Sequence, residues 1–73
     1  MFKFEQVAEL NDKELMVLGL FATGLDADGV AKESRYSVRT VKWYQLQIYQ
    51  KLNVHRLHQA VVWYLVIYKN SDK

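Results

Sequence analysis

The residues best able to do chemistry in this chain gather around Arg39 and Lys42. Both fall within the first turn and a half of a stretch that reads as a helix beginning after Ser37. A helix N-terminus favours negative charge, so cations there suit an external polyanion better than they suit the helix itself. Nucleic acid is the obvious candidate. Little else in the sequence is reactive. There is no ordered set of serine, histidine and aspartate with supporting glycines, no glycine-rich phosphate loop, and no close carboxylate pair in an apolar setting. An enzyme is therefore the weakest class, with no catalytic residue and no cofactor assigned. His55 and His58 stand three apart, but no carboxylate or thiol lies at a fitting spacing, so they read as a solvated pair and no metal site is expected.

The helix that must carry these cations runs from Val38 to about Leu52. Ser37 is its N-cap, a hydroxyl able to accept from a free backbone N–H of the first turn. At 100° per residue, Val41, Tyr44, Gln45, Ile48 and Leu52 fall on one face, and Arg39, Lys42, Trp43, Leu46 and Gln50 gather on the other. One face packs and the other reads something. Ahead of it, Asn11 followed by Glu14 makes a capping-box arrangement for a first helix from Asp12 to about Thr23, closed by Gly24, with Leu15, Leu18, Phe21 and Ala22 facing inward. Asp26 caps a short second helix from Ala27 to about Ser34, packed through Val30 and Ala31. Gly29 weakens it by about 1 kcal/mol relative to alanine. Arg35 and Tyr36 turn into Ser37.

After a corner at Asn53 and Val54, where asparagine tolerates a left-handed backbone, a fourth helix is expected from Arg56 to Tyr68. Its run of β-branched and aromatic residues from Val61 to Tyr68 makes a strand the competing reading. Helix is preferred because everything before it is helical. Its projection points Leu57, Ala60, Val61, Tyr64, Leu65 and Tyr68 inward and leaves Gln59, Val62, Trp63 and Val66 outside, as a surface for a second subunit or for the N-terminal arm through Phe2 and Phe4. Residues 1–10 form that arm, whose pattern fits either a short lead-in helix or an extended segment, and residues 69–73 a frayed tail.

At 73 residues the chain makes one domain, small enough that a second copy burying more surface is plausible. Apolar residues at 51% suffice for a folded core, and no cysteine is present, which fits a reducing cytoplasm. The most apolar run, residues 60–68, is too short for a bilayer span of about 20 residues, so no membrane role is expected. Charge is uneven. Residues 1–30 set two lysines against six carboxylates, a net of −4, and residues 31–73 set eight basic residues against two acidic ones, a net of +6. The C-terminal part is the side that would face phosphate.

With these elements in place, the chain resembles the LuxR-type (GerE-like) helix-turn-helix family of bacterial transcription regulators. The matching residues are Leu10, Glu14, Val17-Leu18, Ala22, Gly24, Val30-Ala31, Tyr36-Ser37, Thr40-Val41-Lys42, Ile48, Lys51-Leu52, Val54 and Gln59-Ala60-Val61, ungapped over about fifty residues. The resemblance implies an all-α, four-helix domain in which helices 2 and 3 form the helix-turn-helix, helix 3 enters the major groove and helix 4 mediates dimerisation. It also implies that Thr40 contacts phosphate, that Lys42 faces the groove and that Lys51 contacts the DNA backbone. The family usually has serine and a basic residue where this chain has Asp26 and Asp28.

The function expected is a stand-alone, sequence-specific regulator in the cytoplasm of a bacterium or its phage. It would bind double-stranded DNA as a homodimer through Ser37, Arg39, Thr40, Lys42, Trp43, Leu46, Gln50 and Lys51, with Gln59, Val62, Trp63 and Val66 at the dimer interface. A second reading is a protein of the same fold that pairs with a LuxR-type regulator, or another partner, and modulates it. Asp26, Asp28 and the apolar pair Trp43 and Leu46 motivate it. That pair fits either thymine methyls in a groove or a protein-binding patch. No sensor or receiver segment is recognised, so regulation is expected through abundance or partners.

Overall fold

A computed structural model describes residues 10–69, and among them it contains helices and no strand. Helix α1 spans Asp12–Ala22, α2 Ala27–Ser34, α3 Val38–Leu52 and α4 Leu57–Val62, the last continuing as a π-helical stretch, Trp63–Tyr68. The readings of the arm and tail lie outside the described residues, apart from Leu10 and Lys69.

The local signals that start and stop these helices are chemical. Asn11 Oδ1 accepts from the Glu14 N–H at 2.8 Å while the Glu14 carboxylate accepts from the Asn11 N–H at 2.9 Å, completing the capping box of α1. Gly24, at φ 102°, follows the last turn of α1 in a backbone region that side chains resist. Asp26 Oδ1 accepts from the Gly29 N–H at 2.9 Å and opens α2. Helix α3 ends in a Schellman arrangement, with the Val54 N–H donating to the Tyr49 carbonyl and the Asn53 N–H to the Gln50 carbonyl, Asn53 standing at φ 58°. The other left-handed residue is Arg35, at φ 68°, which ends α2.

The core is contiguous. Val17, Leu18 and Phe21 of α1 meet Val30 and Ala31 of α2, Val41, Ile48 and Leu52 of α3, Val54 of the corner, and Ala60 and Trp63 of the last helix. Helix α3 packs against all three others, as does α1, and α2 and α4 lie apart from each other. The inner face of α3 is thereby held by three elements, and this fixes which residues it turns outward.

Helix 4 departs from its projection. Trp63, expected outside, is 4% exposed, whereas Leu65 and Tyr68, expected inside, are 47% and 40% exposed. The helix is apolar on most sides, so periodicity offers no polar face to set its rotation, and burying its largest side chain decides the matter. The backbone also widens beyond Val62, as in the i→i+5 bond from the Lys69 N–H to the Tyr64 carbonyl at 2.9 Å, which shifts the later side chains around the axis. Within α1 the inward set also differs: Val17 and Glu14 are buried, and Leu15 and Ala22 are only half-buried.

Candidate nucleic-acid interface

The two helices that sequence reading assigned to a helix-turn-helix are α2 and α3, joined by the turn Arg35-Tyr36-Ser37. Ser37 is exposed, and its hydroxyl oxygen accepts from the Thr40 N–H at 3.0 Å. The same hydroxyl donates to Thr40 Oγ1 at 3.0 Å, which leaves the Thr40 hydroxyl proton for another acceptor. The first turn of α3 thus presents a hydroxyl donor beside its remaining free backbone N–H groups, an arrangement that suits a phosphate oxygen.

Beyond that turn, the outer face of α3 carries Arg39, Lys42, Trp43, Leu46 and Gln50, all exposed. Val41 and Ile48 beneath them are fully buried, so the helix cannot turn this face inward without emptying the core. Among the described residues, neither Arg39 nor Lys42 has a carboxylate within ion-pair distance, which leaves both charges to solvent or to a polyanion. The apolar members are also open: Trp43 is 55% and Leu46 52% exposed.

An aromatic chain ties this face to the turn. Tyr36 and Tyr44 lie with ring centroids 5.4 Å apart, and Trp43 meets Tyr44 edge-on at 5.1 Å. Partial burial raises the pKa of the Tyr44 hydroxyl above its ordinary value of 10.0, and Tyr36 and then Glu14 push it the same way.

Lys51 is placed differently from the other basic residues. Its Nζ lies 2.9 Å from the carboxylate of Glu14, which is itself 2% exposed. The Lys51 charge therefore balances a buried anion in α1, a partnership that sequence reading missed. The signal was available: Glu14 precedes Leu18 by four residues and so shares its inward face.

At the start of α4, Gln59 is half-buried and its side-chain oxygen accepts from the His55 N–H at 2.9 Å and the Arg56 N–H at 3.1 Å, closing the first turn of that helix. Val62 is exposed, and Leu65, Val66 and Tyr68 add to an apolar patch that Trp63 does not join. His55 and His58 are exposed, and no cluster of three metal-ligating side chains occurs among the described residues. No helix there is long and apolar enough to cross a membrane.

Comparison with known proteins adds one finding. The model of the GerE family, described as bacterial regulatory proteins of the luxR family, matches residues 8–64. No curated protein and no solved structure matches the chain.

Proposed function

Because the chain belongs to the luxR family of bacterial regulatory proteins, and so is a DNA-binding helix-turn-helix domain of a regulatory rather than an enzymatic kind, we propose that it binds specific sites as a dimer, with α3 of each subunit in the major groove. The observation that carries this reading is the outer face of α3, where Arg39 and Lys42 stand exposed, without a carboxylate partner among the described residues, directly above a rigidly packed inner face. Cations held this way neutralise phosphates and release counterions, which supplies affinity, and side chains projecting further into the groove supply discrimination. Ser37 and Thr40 at the helix start serve as backbone anchors. The domain works in the cytoplasm, where bacterial DNA lies.

Lys51 keeps a smaller part in this reading, because its ammonium group is already committed to Glu14 and only its remaining donors reach toward phosphate. Trp63 is withdrawn from the dimer interface by its burial, and the patch of Val62 and Leu65 takes its place. Two such domains would read half-sites about 34 Å apart, one helical turn of DNA.

The test is binding to genomic fragments at two salt concentrations. Lys42→Ala should cost about 1–3 kcal/mol on the preferred site, as for a base-edge contact. Thr40→Ala should weaken all fragments alike. Wild-type affinity in the double variant would remove α3 from the interface.

A further inference from the structure

The outer face of α3 mixes two chemistries, and the apolar one asks for a particular base. Trp43 and Leu46 are each more than half exposed, yet they sit among Arg39, Lys42 and Gln50, a setting that favours a polyanion over an apolar protein surface. In the major groove, guanine, cytosine and adenine present hydrogen-bonding groups with small C–H edges, and thymine alone adds a C5-methyl. Pressing leucine or the carbon face of the tryptophan ring onto a donor or acceptor would strip its water and return nothing, whereas a methyl group gains from the contact.

We propose that Leu46 and Trp43 read thymine methyl groups, so that each half-site carries thymine within about two base-pair steps of the base approached by Lys42. This rests on the reading that α3 lies in the major groove. Lys42 and Leu46 are one turn apart, a rise of about 6 Å, which matches two steps of about 3.4 Å along the duplex. The Trp43 ring is held edge-on against Tyr44, which in turn packs on Tyr36, so little motion is lost when the indole meets DNA. Gln50 lies a further turn along and faces the next bases.

The experiment begins with selection of bound duplexes from a random-sequence pool by the full chain. Each thymine of the preferred site is then replaced singly by deoxyuracil, which removes the methyl and leaves the pairing intact. At one or two positions per half-site the affinity should fall about fourfold, the scale of exposing one buried methyl group. Leu46→Ala and Trp43→Ala should each bind the thymine and deoxyuracil versions alike at the position its side chain meets, and the double variant at every position, with wild-type steepness of salt dependence. Both side chains are exposed enough for these variants to melt near the parent, as circular dichroism would verify. A preferred site that tolerates deoxyuracil everywhere, or a double variant that still discriminates the methyl, would overturn the proposal and leave DNA reading intact. No enriched site at all, with weak binding that is blind to sequence, would overturn both. Loss of a co-purifying protein from the Trp43 and Leu46 variants would then assign the face to a protein partner.

Discussion

Glu14 shows how much one side chain can hold in a domain this small. Its carboxylate caps α1 by accepting from the Asn11 N–H, and it also accepts from Lys51 Nζ, so two helices distant in sequence share one buried anion. Removing Lys51 leaves that anion with its cap alone, and Lys51→Ala should destabilise the fold by about 1–3 kcal/mol. Glu14→Gln, which keeps the shape and removes the charge, should cost less, because Lys51 then turns into water. Urea unfolding of both variants and of their combination gives the coupling directly. Tyr44 makes a second prediction. Its hydroxyl keeps its proton to a higher pH in the folded chain than in the unfolded one, where it titrates near 10.0. The contribution is therefore full below that pH and is lost as pH rises through the higher folded value. Tyr44→Phe should lack this alkaline loss, seen as a urea midpoint that falls less than the parent's between pH 9 and 11. At this scale the outward residues of α3 were legible from period alone, since Val41 and Ile48 lock its rotation. The partnership of Lys51 was not, because position along a motif says nothing of what a neighbouring helix offers.

Among the elements, the first three helices were readable because each is bounded by residues with a physical job: Asn11 with Glu14, Asp26, Ser37, Gly24 and Asn53. The fourth was readable as a helix but not in its rotation, since nothing polar distinguishes its sides. Gly29 also had a reason invisible in sequence. A Cβ there would lie 3.1 Å from the Leu25 side chain, tighter than ordinary contact, so a larger residue would have to push Leu25 aside at the start of α2. Arg35 is the position where local preference is violated. An L-residue at φ 68° is strained, and glycine would relieve it. Arg35→Gly should raise stability by about 0.5–1 kcal/mol, net of glycine's greater freedom in the unfolded chain. For a domain of this size that is a rise of roughly 2–8 °C in Tm, which differential scanning calorimetry can resolve. A fall in Tm would mean that the arginine side chain repays its backbone.

For the molecule as a whole, two exposed surfaces stand out: the outer face of α3, cationic and apolar together, and the apolar residues of the last helix. The acidic N-terminal portion and the basic remainder give the chain a polarity along its sequence, and the last helix adds exposed Val62, Leu65 and Val66. These surfaces suit a domain that pairs with a second copy through its last helix and meets DNA through α3. Val62 is 49% exposed, so Val62→Glu should leave the helices intact while shifting the protein to monomer in sedimentation equilibrium, with a weakened grip on a two-half-site duplex. A parent protein that is monomeric at high concentration would contradict the dimer. The central claim, that the outer face of α3 meets DNA, is tested most directly by titrating isotope-labelled protein with a duplex carrying the preferred site and following amide and side-chain NMR signals at physiological salt. Signals of Ser37, Arg39, Thr40, Lys42, Trp43, Leu46 and Gln50 should shift together and saturably, with those of Lys13 and Met16 on α1 unmoved. Shifts confined to the last helix, or none on α3, would contradict the account.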